Sequence, residues 1–395
     1  MPAAPPIAPE PPARARRGRG ALPWGALGMA ALIVLVEGAI QRHHVDLSTV
    51  MTLNWRLDRH APARHARGAE VLCFGDSMVK FGVQPRVLGA ALGRSVRNFA
   101  LYCGPPQTSY FQLRRAFDAG ARPAAVLVDF QPEILVCEPL KVTSKAFAEI
   151  LDFRELLDLC WTARDADRLA EFGVARLLAS SRQRFEIRAA VLAAATGQPT
   201  PLGRDRLDGA RRNWQLNRGG EALPKNPNYR GDVPDTDAYP VMFWTPWRPN
   251  PLNVAYLERF LDLASRRGVP VFWLLQPNVN EVDVRRERVG YNAQYEQFVR
   301  QYLDRYANLH VVDGRRVNYP ASFFNDPVHL DRDGGTAYSL GIADVLRPFL
   351  AGTAAPRWQP LPDRRDGAAG VPLEDTLQSV LAVRAAQSEA ATARR

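Results

Sequence analysis

Lysine is nearly missing from this chain of 395 residues: Lys80, Lys141, Lys145 and Lys225 are the only four among 51 basic side chains, and the rest are arginine. Basic residues exceed the 41 acidic ones for a formal charge of +10. The arginines are scattered among acids and form no stripe, which argues against a nucleic-acid partner. Cysteine is scarce too. Cys73, Cys103, Cys137 and Cys160 include no pair two to four residues apart, so the usual spacing of a thiolate metal site is missing. Nor is there a glycine-rich phosphate loop or a dinucleotide fingerprint, and no cofactor or metal is expected. With 46% hydrophobic residues and 23% charged, a disordered chain and a coiled-coil rod are excluded.

The two ends differ from the middle. Residues 1–20 form a Pro/Ala tail closing with Arg14, Arg16, Arg17 and Arg19, and no core can be built from it. Ala21–Val36 then runs for sixteen residues without a charge. Glu37 interrupts it, and Gly38–Ile40 bring it to about twenty residues, the spanning length of a bilayer. A cleaved signal peptide and a buried core helix are the competing readings. No small-x-small cleavage site follows the run, which favours an uncleaved anchor over 21–41. The arginines before it place the tail in the cytoplasm and the remainder on the periplasmic or extracytoplasmic side. Residues 42–68 read as a linker, and 351–395 as a tail with one amphipathic segment near Leu373–Val383.

Between the ends the pattern is α/β. Short apolar runs at Val71–Phe74, Val96–Ala100, Ala124–Phe130, Val271–Leu275 and Leu309–Asp313 read as strands buried on both faces. Helical spacing appears at Pro85–Leu92, Gln107–Phe117, Leu252–Ser265, Tyr291–Tyr306 and Thr336–Leu350. This alternation over 69–350 predicts a parallel sheet with helices on both faces and functional loops at the carboxyl ends of the strands. From Glu133 to Arg248 the alternation lapses into one long insertion after the third strand, a cap with helical pieces near Phe147–Leu159, Asp165–Ala179 and Arg184–Ala195. An irregular stretch follows. Its Trp214, Tyr229, Trp244 and Trp247 are either sugar-stacking platforms or ordinary anchors of an irregular lobe. Cys103 and Cys137 are candidates for a disulfide if the loops after two adjacent strands meet; buried thiols are the alternative.

Chemistry is concentrated at two places. Gly75-Asp76-Ser77 follows the first strand, where a serine on a tight turn faces the ligand crevice; alone, the tripeptide reads more readily as a turn with a helix N-cap. Asn325-Asp326-Pro327-Val328-His329-Leu330 lies before the final helix. A serine nucleophile needs a base, and the base needs an acceptor to hold its tautomer. Asp326, three residues before His329, can put a carboxylate beside that imidazole. Of the six histidines, His43, His44, His60 and His65 lie just past the apolar run and read as solvated linker residues. His310 opens the fifth strand, about a strand length (~17 Å) from Ser77. Only His329 is left to reach Ser77.

GDS after the first strand together with Asp-x-x-His before the last helix resembles the SGNH (GDSL-type) hydrolases, over about residues 69–132 and 250–350. The resemblance implies a flavodoxin-like sheet, with Ser77 as nucleophile, His329 as general base and acid, and Asp326 orienting it. It also implies an oxyanion hole made by the Ser77 N–H, a glycine after the second strand (Gly104) and an asparagine after the third. The third donor is a departure: the segment reads Asp129-Phe130-Gln131-Pro132-Glu133, without the family's Gly-x-Asn-Asp. Gln131 is the local substitute, with Asn278 or Asn250 as alternatives. The apolar anchor and the cap make the chain similar to the branch containing cell-envelope O-acetyltransferases. That similarity implies an acyl-ester or glycan substrate, a bilayer contact through the N-terminal helix, and an esterase or O-acyltransferase activity. A catalytically degenerate scaffold that binds or assembles envelope polysaccharide is the alternative.

Overall fold

A computed structural model describes residues 24–43, 47–142, 144–198, 203–233, 240–353, 355–363 and 370–393. The expected tail over 1–20, the first three residues of the expected span and His44 lie outside them.

Six short strands form one parallel sheet. They are β1 (Val71–Phe74), β2 (Val96–Asn98), β3 (Ala125–Val128), β4 (Val271–Leu275), β5 (Leu309–Asp313) and β6 (Trp358–Pro360). Their order is β2-β1-β3-β4-β5-β6. Val71 is in register with Val96 on one side and Ala125 on the other, Val126 with Val271, and Val271 with Leu309. The order reverses direction between β1 and β3, and at such a switch point the loops leaving the carboxyl ends part to leave a crevice.

The helices before the insertion are α1 (Trp24–Arg42), α2 (Val50–His65), α3 (Ser77–Gly82), α4 (Pro85–Leu92) and α5 (Pro106–Asp118). Between β3 and β4 come α6 (Pro132–Val136), α7 (Pro139–Val142), α8 (Ser144–Ile150), α9 (Phe153–Ala163), α10 (Ala166–Leu177), α11 (Ala179–Arg182), α12 (Arg184–Thr196), α13 (Arg204–Leu216) and α14 (Pro251–Arg266). The last four are α15 (Asn280–Arg288), α16 (Tyr291–Arg305), α17 (Arg332–Leu350) and α18 (Thr376–Thr392).

Alternation along each strand feeds two cores, one per face of the sheet. Leu72, Phe74, Val126, Val128 and Trp273 point to the face covered by α5, α14 and α16. Val71, Cys73, Leu127, Phe272 and Leu274 point to the face covered by α3, α4 and α17. Strands with every residue buried cannot show an in–out alternation of polarity, and they read as continuous apolar runs.

Three stretches differ from the sequence expectation. The linker 42–68 contains α2, whose Asp58 and Asn54 are fully buried. It buries Leu53, Trp55 and Ala61 as well, but polar residues are interleaved among them on the buried side, which blurs the periodic signal. The expected C-terminal tail supplies β6 on the sheet edge; the segment expected near Leu373–Val383 falls at the start of α18, which runs on to Thr392 and packs against α13. β6 is three residues long, too short to show a period. The irregular part of the insertion opens with α13, which Trp214 and Leu207 anchor.

α1 is the one helix among the described residues long and apolar enough to cross a membrane; it is near the N-terminus and buries no side chain.

Candidate active site

β1 delivers the chain to Gly75, whose φ of +132° lies in the region that favours glycine. A Cβ there would sit 2.2 Å from the Asp129 Oδ1 atom, so the close approach of the loops after β1 and β3 also requires its absence. Asp76 caps α3, its Oδ1 accepting the Met78 N–H at 2.8 Å. Ser77 is therefore the first residue of α3, where its own N–H has no partner within the helix.

The loop between β5 and α17 brings the base from 252 residues further along. His329 Nε2 lies 2.9 Å from Ser77 Oγ, and its Nδ1 lies 2.7 Å from Asp326 Oδ2. Asp326 Oδ1 accepts the N–H groups of Val328 and His329 at 3.0 and 2.9 Å, so both carboxylate oxygens are committed. The loop closes on itself through a Phe324–Leu330 bridge and the Asn325 N–H donating to the His329 carbonyl at 2.8 Å. The insertion braces it, with the Asn325 amide donating to Pro224 O and the Asn226 amide to Asn325 O. The His329 ring meets Phe81 edge to face at 5.2 Å, and Phe81 meets Tyr102 the same way. Burial works to raise the Asp326 carboxyl, but the hydrogen bond and charge of His329 and the two backbone donors outweigh it, so it lies below its ordinary range.

Ser77 and His329 line an open pocket of about 170 Å³ together with Gln131, Glu133, Met242 and Asn278. A wider hollow of about 500 Å³ beside Trp161 holds no nucleophile–base pair. Of the three expected oxyanion donors, Ser77 and Gln131 border the pocket. Gly104 does not line it, and its N–H donates to Leu101 O at 3.1 Å in its own turn. Its lack of a side chain has a packing reason: a Cβ would sit 2.5 Å from the Gly75 carbonyl. Asn278 lines the pocket with its amide held only by a long contact, 3.3 Å, to Asp283. Asn250 caps α14 and is not among the lining residues.

Beneath the serine lies a buried carboxyl pair that the sequence pattern did not flag. Asp129 accepts the Asp76 N–H at 3.2 Å and the amides of Gln131 and Gln276 at 3.3 and 3.2 Å. Burial pushes both carboxyls upward; the charge of Asp129 raises Asp76 further, whereas hydrogen bonds from Asp76, Gln131 and Gln276 favour charge on Asp129. Asp129 collects the donors, so the ionised form rests there and Asp76 keeps the proton, passing it as a hydrogen bond to Asp129. An aspartate ending a strand, just before the site's expected amide, was the available signal. Glu133 was a second omission. It lines the pocket and pairs with buried Arg286, whose pKa burial lowers to about 10.

One turn beyond Ser77, Lys80 is fully buried and bonded to Asp58 of α2 at 2.7 Å. Trp214 Nε1 donates to the other Asp58 oxygen at 2.8 Å. Tyr102 donates to buried Glu221 at 2.6 Å, while Trp55 of α2 donates to the Tyr102 carbonyl at 3.0 Å. Burial raises the Asp58 and Glu221 carboxyls against the pull of Lys80.

The other sequence candidates lie elsewhere. His310 stacks on Phe272 at 4.9 Å and does not line the pocket. Cys103 and Cys137 are free thiols near enough to influence each other electrostatically. Trp214 and Trp247 are buried and donate to Asp58 and Pro132 O, Tyr229 is half-buried, and Trp244 is exposed. Among the described residues, no group of three or more His, Cys, Asp or Glu is arranged to hold a metal. Compared with known proteins, the chain matches no family profile and no curated sequence.

Proposed function

We propose that this chain is a membrane-anchored serine esterase or O-acyltransferase of the SGNH type, acting on ester-linked acyl groups of cell-envelope glycans or lipids. The observation that carries the reading is the unbroken chain Ser77 Oγ–His329 Nε2–His329 Nδ1–Asp326 Oδ2, with steps of 2.9 and 2.7 Å, at the mouth of a pocket. The strand order β2-β1-β3-β4-β5 is compatible with a flavodoxin-like sheet of that family.

His329 takes the Ser77 proton as Oγ attacks the ester carbonyl. Asp326 stabilises the resulting imidazolium and holds the tautomer that leaves Nε2 free to accept. The tetrahedral oxyanion is met by the Ser77 N–H and a side-chain amide, for which Gln131 and Asn278 are placed. Collapse expels the alcohol, protonated by His329, and leaves an acyl-serine. Water or a sugar hydroxyl, deprotonated by His329, then attacks that ester and restores Ser77. α1 would hold the domain at the outer face of a membrane, consistent with its length and apolarity.

The test is a fluorophosphonate probe applied to the full chain. Labelling of the wild type and none of Ser77→Ala supports the enzyme. A p-nitrophenyl acetate assay with and without an oligosaccharide separates the second steps, because only a transferase acylates the added sugar. A binding scaffold on the same fold is the second reading, favoured by the engaged Gly104 N–H. Wild type that never labels would select it.

A further inference from the structure

α1 carries one charge inside its apolar run, Glu37, and that charge is met by the insertion. The Glu37 carboxylate accepts both the backbone N–H and the hydroxyl of Ser180, the second residue of α11. α1 and α11 pack together there. Glu37 lies five residues before the end of α1, about 7–8 Å along its axis. The whole helix is about 28 Å long, close to the thickness of a hydrocarbon core. If α1 crosses a bilayer, the Glu37–Ser180 contact sets α11 about 7–8 Å below the outer end of the span, within the depth of about 5–10 Å to which an interfacial helix buries its apolar face.

The segments flanking α11 are apolar and uncovered. Leu177, at the end of α10, is 78% exposed, and on α12 Phe185, Val191 and Leu192 are 60%, 62% and 52% exposed. Phe185, Arg188 and Leu192 stand at i, i+3 and i+7, on one face of α12. Arg184 and Arg188 are on the same helix, and the Arg184 guanidinium lies over the Phe185 ring at 4.7 Å. Large apolar side chains beside arginines, on a helix lightly packed against its own protein, are the composition of a helix lying in a membrane interface.

We infer that the end of α10 and the exposed face of α12 rest in the same bilayer that α1 crosses, with Phe185, Val191 and Leu192 among the acyl chains and the long side chains of Arg184 and Arg188 reaching from that face back up to anionic headgroups. The inference rests on the reading of α1 as a span and is independent of the chemistry at Ser77. The insertion then acts as a second foot. With α1 alone, the body can swivel about a single point. With two contacts, joined by Glu37 and Ser180, its tilt relative to the lipid surface is fixed.

The experiment uses the full chain with Cys103→Ser and Cys137→Ser, leaving the buried Cys73 and Cys160 in place. Single cysteines are introduced by Phe185→Cys, Val191→Cys, Leu35→Cys in α1, and Asp304→Cys on the exposed face of α16. Each is coupled to a nitrobenzoxadiazole fluorophore and reconstituted into phosphatidylcholine–phosphatidylglycerol vesicles carrying nitroxide-labelled lipid. The expected result is at least twofold quenching at positions 35, 185 and 191 and none at 304. Quenching at 35 with positions 185 and 191 behaving like 304 overturns the lipid contact and leaves that face to a membrane-protein partner. No quenching at 35 overturns the inference together with the span, while leaving the fluorophosphonate result at Ser77 untouched.

Discussion

Replacing Asp326 with asparagine tests the catalytic reading most sharply, because the structure dictates how the amide must sit. One carboxylate oxygen accepts two backbone N–H groups, at 3.0 and 2.9 Å, and the other accepts from His329 Nδ1 at 2.7 Å. In Asp326→Asn the amide oxygen keeps the two backbone bonds, since the flipped orientation would forfeit both at about 1 kcal/mol each. The NH₂ group is then turned on Nδ1. A donor there forces the imidazole to present Nδ1 as acceptor and carry its proton on Nε2. That proton points at Ser77 Oγ, so the base has become a donor at the atom it should deprotonate. The expected loss is ~10³–10⁴ in acylation rate, or about 4–5.5 kcal/mol of barrier, with the fold unchanged. The assay is the second-order rate of fluorophosphonate labelling, with circular dichroism as the control for folding. A variant that labels within tenfold of the wild type would refute the roles given to Asp326 and His329.

Three further outcomes are expected. In Asp76→Asn the amide can still accept the Met78 N–H and donate to Asp129, so the shared proton is replaced by a permanent hydrogen bond. Because the wild-type pair keeps a proton that the unfolded chain has already released, wild-type stability falls as pH rises from the ordinary carboxylate range towards neutrality. Urea midpoints should therefore show the variant gaining on the wild type by up to about 1.4 kcal/mol per pH unit across that window; a gap that does not change with pH would sink the shared proton. Lys80→Met leaves Asp58 and Glu221 buried without their cation and should cost about 3–5 kcal/mol at about pH 7.5, and less as the pH is lowered, because burial already pushes both carboxyls towards binding protons. A loss under about 1 kcal/mol by thermal or urea unfolding would contradict it. If Asn278 supplies the side-chain oxyanion donor, Asn278→Ala lowers kcat by ~10²–10³ with KM little changed, whereas a drop below fivefold passes the role to Gln131.

The sheet was legible because its central strands are buried on both faces and so appear as apolar runs between turn residues, as at Val71–Phe74 and Val271–Leu275. The Ser77–His329 encounter was legible for a topological reason: both residues follow carboxyl ends of parallel strands, and histidine is so rare in the body that no rival was in reach. What stayed hidden is held by polar contacts between distant segments. α2 binds through Asp58 to Lys80, and the Asn325–His329 loop is braced by Pro224 and Asn226, none of which has a period to detect. Gly104 reads from sequence either as an oxyanion donor or as a plain turn, and a glycine near an expected oxyanion position can be there for space. Here the Gly75 carbonyl occupies the room a Cβ would take, and the Gly104 N–H serves its own turn.

The carboxyl pair and the missing asparagine bear on one another. Set against the Gly-x-Asn-Asp that the resemblance implies after the third strand, Gln131 stands at the amide and Asp129 at the glycine, and Asp76 lines the same pocket as Ser77. Two ionised carboxylates beneath the serine would repel an oxyanion forming above them, and in a partly dry site that repulsion exceeds its value in water several-fold. Sharing one proton removes half of that charge. The half that remains sits on Asp129, the member farther from solvent, where Gln131, Gln276 and the Asp76 N–H disperse it. The Gln131 amide is turned to Asp129 and the Asn278 amide to Asp283, each by one 3.3 Å contact, so either must leave a long bond to a carboxylate to meet an acyl oxygen. An aspartate at 129 is thus compatible with acyl transfer only while the pair keeps its proton. Activity should fall on the alkaline side as that proton leaves, and Asp76→Asn, which has none to lose, should hold its rate there.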